Sequence, residues 1–338
     1  AVIGNTPITA SNISKKELSR QNTMKDFPAL LSQLPSISTY SEGGLGLGYS
    51  YLFIRGFDQR KISVFIDGIP QNDPEDHNVY WVNFYDIQGF LEDIQVQRGA
   101  GSVHYGPPSI GGSINLITRR RNINPYYKIN FGHGSYNTFK GSLEFNTGTY
   151  WDYFNTFLKI SYSETDGYRN WSWANFKRYF FSTTYHSENH NIVLHIFGGP
   201  QEDGLTYNGI LKEYQNDLEL RKVNPSEGKG VEWFNQPHYD LKHEWNISDN
   251  FNLNSTFLYL EGEGYFDFDG SWASMEYLRL DQDHLESQYS FNEIQQGFEW
   301  SDVWYAYVQK PEVAEKSIIR ANVTKRQFGI IQSLDYSD

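Results

Sequence analysis

No cysteine occurs among the 338 residues, which removes disulfides, thiolate metal centres and cysteine nucleophiles from consideration. Long apolar runs are missing as well. No window approaches the ~18 consecutive apolar residues of a membrane-crossing helix. In a bilayer only a closed β-barrel would then remain, because lipid cannot satisfy the backbone of an open sheet. Basic charge is scarce, with 28 Lys and Arg against 41 Asp and Glu for a net charge of −13. Nucleic acid is therefore excluded as a partner, since phosphate binding needs positive potential. No basic-then-apolar leader opens the sequence at Ala1, so a signal peptide is expected to have been removed or to lie outside it.

Aromatic residues, by contrast, are abundant: 25 Tyr, 23 Phe and 9 Trp make up 17% of the chain, of which only 38% is hydrophobic. A soluble core would draw more on Leu, Ile and Val. Tyr and Trp suit a surface that is half wet and half greasy, such as the girdles of a membrane barrel. A soluble β-protein with a sugar-binding aromatic face fits the same composition.

Residues 1–120 have one character and 121–338 another. In the first part, residues 14–20 and 26–33 are expected as short helices. Ser14 stands three residues before Glu17 as a capping box, and Asp26 can cap a helix that tolerates Pro28 in its first turn and stops at Pro35. The glycine-rich stretch 42–48 reads as a flexible loop, because it lacks the Lys-Ser/Thr of a phosphate cradle. Strands are expected at 51–57 and 62–67, joined by a polar turn at 58–61, and at 91–98 and 113–119. Asp67-Gly68 is a strong turn signal. Together these predict a small α+β globule.

From Tyr126 the pattern alternates with period two. Tyr127, Ile129 and Phe131 oppose Lys128 and Asn130. Phe154, Leu158, Ile160 and Tyr162 oppose Asn155, Lys159 and Ser161, with Phe157 an exception. Ile192, Leu194 and Ile196 oppose His195, and Phe251, Leu253, Phe257 and Tyr259 oppose Asn252, Asn254 and Thr256. Segments of about ten residues that alternate in this way mark membrane-barrel strands, although a soluble sandwich alternates too. Short connections at 132–136, 146–149 and 187–190 interleave with long ones at 199–236 and 262–316, and two further strands are expected at 317–324 and 328–336. At roughly 20 residues per strand and connection, the region after residue 120 makes about ten strands.

Four motifs run in order through the first part: Ile54-Arg55-Gly56-Phe57, Phe65-Ile66-Asp67-Gly68-Ile69-Pro70, Ile94-Gln95-Val96-Gln97-Arg98-Gly99, and Tyr105-Gly106 leading to Gly111-Gly112-Ser113-Ile114-Asn115. Their order and spacing resemble the plug domain of TonB-dependent outer-membrane receptors. The stretch Asp73–Trp81, with Gly134-Ser135-Tyr136 and Thr165-Asp166-Gly167-Tyr168 further on, looks most like receptors of the Bacteroidetes type. The resemblance implies an α+β plug (1–120) followed by antiparallel transmembrane β-barrel strands (121–338). It also implies an incomplete barrel, since plugged transporters use about 22 strands. Another segment or chain would then complete the wall.

It implies a job as well: gated import across the outer membrane of a Gram-negative bacterium. The cargo would be a ferric siderophore or other iron complex, with haem, cobalamin or a glycan as further options. Force would come from periplasmic TonB. No TonB-contacting box is legible around Val2 and Ile3. Arg55 and Arg98 match plug positions that pair with barrel glutamates in the family, a role that suits the bidentate fork of arginine in a partly dehydrated lumen. The 71–81 crown offers Gln71, Asn72, Asp73, His77, Tyr80 and Trp81 as an orienting ligand surface. No cofactor is expected, although Asp267 with Asp269 and Asp281 with Asp283 could hold Ca²⁺ in an outer loop. No nucleophile–base constellation stands out: His104 near Ser102 is not a triad, and a Gly-x-Ser-x-Gly elbow is absent. A carbohydrate-binding β-protein, soluble or surface-attached, is the alternative, and it requires apolar faces turned inward. A hydrolase using paired carboxylates is a third option, with no pair placed well enough to name.

Overall fold

The structure is a computed structural model that describes residues 9–20, 24–99, 110–119, 122–228, 230–269 and 318–336. Its first body contains β1 (Ala10–Ser14), α1 (Lys15–Arg20), α2 (Phe27–Leu31), β2 (Ile37–Ser41), β3 (Ser50–Ile54), β4 (Phe57–Asp58), β5 (Ile62–Ile66), β6 (Ile69–Pro70), β7 (Leu91–Arg98) and β8 (Gly112–Thr118). Both helices start where their caps sit. Glu17 accepts from the backbone N–H and the hydroxyl of Ser14 at 2.8 Å each, and the Asp26 carboxylate accepts from Ala29 N–H at 3.2 Å.

Five strands form a mixed sheet in the order β1-β7-β8-β5-β6, with β5 and β8 parallel, and β2-β3-β4 form a second sheet. The sequence suggested 51–57 and 62–67 as strands joined by a simple polar turn. They lie in different sheets instead. Asp58 caps a 3-10 turn over Gln59–Lys61 that carries the chain from one sheet to the other. Asp67 and Gly68, both at positive φ (47° and 84°), make the tight β5–β6 turn that their dipeptide favours. Phe27, Leu31, Ile54, Ile66, Trp81, Ile94 and Ile114 are the centre of the core.

The second body is one antiparallel sheet of β9 (Pro125–His133), β10 (Phe139–Tyr150), β11 (Phe154–Thr165), β12 (Ala174–His186), β13 (His190–Gly198), β14 (Pro200–Gly204), β15 (Val231–Asn235), β16 (His238–Ser248), β17 (Phe251–Asp269) and β18 (Ile318–Tyr336). The ten segments make fewer continuous strands. β13 and β14 both lie against β12, and β15 and β16 both lie against β17. Each pair is therefore one strand interrupted by a kink, at Gly198-Gly199 and at Gln236-Pro237. Gly199 needs its lack of side chain, because a Cβ there would stand 2.1 Å from the Lys177 carbonyl oxygen.

Three expected connections are corrected, the first being 199–236, whose ends form β14 and β15 and leave 205–230 between them. Residues 146–149 form a bulge inside β10, with the turn following at 151–153. The two strands expected at 317–324 and 328–336 are one, paired with β17 along its whole length. The stretch expected as a long loop at 262–316 begins as the end of β17, and the rest lies outside the described residues.

The sheet is polar inside and apolar outside. Phe131 is 83% and Phe328 85% exposed, with Ile129, Phe145, Ile160, Leu241 and Phe257 on the same outer face, while Lys140, Glu144, Asn155, Lys159 and His195 are buried on the inner one. Trp151, Tyr153, Trp245, Phe251 and Tyr336 ring the rim that carries the short turns. An apolar surface this large is untenable in water and natural in lipid. Phe157, the break in alternation, points inward with Phe180 and Phe197 and joins the core of the first body, where Phe90 stacks on Phe180 at 3.9 Å. The first body thus sits against the inner face of the sheet.

Candidate functional site

The seam between the two bodies is closest along 82–90. Two 3-10 turns, Trp81–Phe84 and Ile87–Phe90, are joined by Tyr85 and by Asp86, which is held at φ 62°. One Asp86 oxygen lies 2.6 Å from Lys140 Nζ on β10, and the other lies 2.6 Å from Lys159 Nζ on β11. All three side chains are buried. Burial alone would push the Asp86 carboxyl up, but the two ammonium groups hold it well below the usual carboxylate range. Gly89 makes the room: a Cβ there would stand 1.6 Å from Lys159 Nζ. Beside it, Arg178 of β12 donates to the Val82 carbonyl at 2.9 Å and to the Gly199 and Pro200 carbonyls, which the strand kink turns toward it. Gln201 donates to Asn83 at 3.0 Å.

Further ties follow the same polarity. Asp67 accepts from Thr118 N–H at 2.8 Å and meets Lys242 of β16 at 2.7 Å, with His195 Nδ1 at 3.7 Å. Burial opposes its ionisation, yet Lys242 and His195 keep its carboxyl low. Asp73 meets Lys325 of β18 at 2.6 Å. One tie runs the other way, from Arg119 to Glu144 of β10 at 3.3 Å.

Arg55 and Arg98, the arginines singled out in the sequence, sit elsewhere. Arg55 is exposed at φ 52°, with its Nη1 close against Gly99. Arg98 donates to the Pro35 carbonyl at 3.0 Å. Among the described residues neither meets a barrel carboxylate.

The 71–81 crown divides. Trp81 is 1% exposed, stacks on Phe27 at 4.9 Å and donates to Gln59 at 3.1 Å, so it belongs to the core. The Asn72 side chain accepts from Val64 N–H and donates to the Ile62 and His77 carbonyls at 2.8–2.9 Å, which shapes the loop. Tyr80 donates to Asp76 at 2.9 Å, and Gln71 donates to the Ile69 carbonyl at 3.0 Å. Asp73 is tied to Lys325, and His77 is exposed.

The glycine-rich stretch, read from sequence as a loose loop, is a contact surface. Gly44, Gly46 and Gly48 have positive φ, and Asp26 N–H donates to the Gly46 carbonyl at 2.7 Å. The Ser50 hydroxyl donates to Asp26, whose carboxyl burial pushes up to about 7 against the pull of its hydrogen bonds from Ser50 and Ala29. On its far side the loop faces the wall at the end bearing the longer connections (166–173, 205–230). Together they line a cleft with Glu42, Gly43, Leu47, Gly48 and Tyr49 on one side and Ser172, Trp173 and Asp203–Thr206 on the other. Tyr51 donates to Glu42 at 2.8 Å and Tyr49 donates to Glu232, while Gln201 donates to the other Glu232 oxygen at 2.8 Å. Arg169 spends its guanidinium on the carbonyls of Glu42, Thr206, Asn208 and Val223 at 2.8–3.2 Å. Burial raises the Glu42 carboxyl above its ordinary value, opposed by the Tyr51 bond and by Arg169. The alternating glycines were the available signal for this site, and their left-handed conformations explain it: a side chain would be strained at each, and at Gly44 a Cβ would also stand 3.0 Å from the Tyr168 ring.

Among the described residues no group of three or more His, Asp or Glu is placed to hold a metal. Asp267 is taken by Arg320, which meets both its oxygens at 2.7 and 2.9 Å. Asp281, Asp283, His104 and the Tyr105-Gly106 motif lie outside the described residues.

Residues 3–113 match the family model described as the TonB-dependent receptor plug domain. The chain is 31% identical over 124 residues to the vitamin B12 transporter BtuB of Vibrio vulnificus, covering 36% of this chain and 20% of the relative. It is 31% identical over 147 residues to the probable TonB-dependent receptor BfrD of Bordetella pertussis, covering 43% of this chain and 18% of the relative. It therefore spans about a fifth of the length of these relatives. Among solved structures, the ferric citrate transporter FecA superposes with a TM-score of 0.60 over 77% of this chain and 40% of that one, at 20% identity. BauA, the ferric preacinetobactin receptor of Acinetobacter baumannii, gives 0.63 over 78% of this chain and 39% of that one, at 16% identity. The chain thus carries a TonB-dependent receptor plug domain, set against part of a β-barrel wall of the fold those receptors share.

Proposed function

We propose that this chain is the plug and the first wall strands of an energy-coupled outer-membrane importer of a scarce ligand. An iron complex, a ferric siderophore above all, is the leading cargo, with cobalamin, haem or a glycan as further options. One observation carries this: a polar-inside, apolar-outside sheet holds a plug against its inner face by buried ion pairs. The work is gated binding rather than catalysis, a plug biased by ligand on one side and force on the other. The relatives named as siderophore and vitamin B12 receptors support the cargo class, and the Asp73–Trp81 stretch supports a receptor of the Bacteroidetes type.

The short-turn rim faces the periplasm in this reading, where TonB would engage the segment before β1. The long connections face outward, over the 42–49 loop, the partly exposed Gln71, Asp73 and Tyr80, and the exposed His77. Arg55 and Arg98 would meet carboxylates on wall strands other than those described. The soluble carbohydrate-binding alternative needs apolar faces turned inward, the reverse of this sheet. Growth of a deletion strain on single iron, cobalamin or glycan sources tests the assignment, with membrane fractionation beside it. Recovery of the protein in the soluble fraction, or no growth defect on any source, would overturn it.

A further inference from the structure

We propose that the cleft between the 42–49 loop and strands β14 and β15 receives a cationic nitrogen group of the ligand, an ammonium or a guanidinium. The proposal rests on the importer reading in one respect, that the long-connection end faces the ligand.

Two carboxylates line this cleft, Glu42 and Asp203, and a third, Glu232, accepts from the Tyr49 hydroxyl beside it. Glu232 is satisfied, with one oxygen accepting from Tyr49 and the other from Gln201. Glu42 and Asp203 are not. Glu42 Oε1 accepts from Tyr51, but Oε2 is buried with no hydrogen-bond partner among the described residues, and so is Asp203 Oδ1 on a residue only 3% exposed. The nearby arginines do not supply the missing hydrogen bonds. Arg169 gives its terminal N–H groups to four carbonyls, and Arg178 gives its own to main-chain carbonyls and to Gln201.

A buried acceptor left without a donor costs free energy, and a buried carboxylate without a counter-charge costs more. The open oxygens suit a group that brings both positive charge and N–H donors. The Tyr49 ring also lines the cleft. Tyr49 and Tyr207 meet edge-on at 6.4 Å, and faces of this kind attract cations. A bare metal ion fits less well, because both Glu232 oxygens are engaged and no set of three ligating side chains is assembled among the described residues. An anionic group would meet like charge. Gly48, at φ 82°, brings the loop backbone beside Asp203.

The test uses the full-length protein purified in detergent, titrated with agmatine, butylamine, butanol and butyrate and followed by calorimetry and by the fluorescence of Trp173. Saturable binding of agmatine and butylamine, with none of butanol or butyrate, is expected. Asp203→Asn and Glu42→Gln should each weaken the cations by about tenfold or more, the loss of one charge-assisted hydrogen bond. Both are close in shape to the residues they replace and should keep the wild-type unfolding temperature. Equal binding of butyrate, or cation binding indifferent to both substitutions, overturns the proposal. Should neither variant fold, the wild-type preference between agmatine and butyrate decides by itself. A strain with no nutrient phenotype whose receptor still selects agmatine would remove the importer reading and leave the cleft. A clear import phenotype without that selectivity would do the reverse.

Discussion

The plug meets its wall in two places that solve the same problem in opposite ways. Along 82–90 the meeting charges are matched: one aspartate, Asp86, lies between two lysines with every partner in reach. At the cleft beside the 42–49 loop they are mismatched, with carboxylate oxygens left open while arginines serve carbonyls. A buried seam in a lumen tolerates charge only when it is paired. The matched region is therefore a fastening, and the unmatched one is a place prepared for something else.

Breaking the fastening should have the largest effect. Asp86→Ala strands two buried ammonium groups and should cost about 3–5 kcal/mol, the range for removing one partner of a buried pair, measured as the unfolding midpoint in detergent. Replacing all three residues together (Asp86→Asn, Lys140→Met, Lys159→Met) should recover most of it. A single-variant loss below about 1 kcal/mol would mean that the pairs are not what holds the plug.

The second effect lies under the cleft. Asp26 holds its proton more tightly in the fold, near 7, than its ordinary 3.8. Its contribution is thus complete below about pH 4 and is lost as pH rises through 7, a change of about 2–4 kcal/mol. Asp26→Asn should flatten the dependence of stability on pH across that window; an unchanged slope would remove Asp26 as its source. Asp86 behaves oppositely. Its depressed carboxyl keeps the clamp intact across the same window and yields only in stronger acid.

Gly89→Ala comes third, at about 1–3 kcal/mol, because the added methyl group displaces the Lys159 ammonium. Wild-type stability in this variant would mean that Lys159 has another place to go. Lys325→Met comes last. Its pair with Asp73 keeps partial solvent access, so a loss of at most about 1 kcal/mol is expected. A cost near that of Asp86→Ala would erase the distinction between rim and middle.

Much of the fold was legible because its signals are local. Asp26 and Glu17 cap helices three residues away, Asp67-Gly68 makes its own turn, and alternation from Tyr126 onward follows from the pleat alone. Where the local signal mixes, the reading slipped. β12 carries aromatics on both faces, Phe176 and Phe180 inward and Tyr179 outward, so no clean alternation announced it. Residues 146–149 have turn composition, yet the bulge absorbs them within β10.

The site was harder to read. Asp73 and Lys325 are 252 positions apart in sequence, and nothing near either one names the other. The crown residues look like a binding surface by type, but Trp81 and Asn72 are spent on the plug itself. The glycine stretch has no functional side chains to advertise, and its value is the closeness of approach that their absence permits.

The sequence by itself determined the class of the molecule. Motif order between Arg55 and Ser113 marks the plug, and period-two patterning with abundant Tyr and Trp marks a wall whose greasy face is outward. Both are properties of neighbouring residues, and neighbours are what a sequence displays. Tertiary structure alone decided which charges meet: that Asp86 is clamped, that Arg98 serves a carbonyl, and that Asp203 Oδ1 finds no donor among the described residues. Those outcomes depend on how a plug is seated against strands far along the chain, and in a buried seam a single Coulomb partner decides whether a charge fastens two elements together.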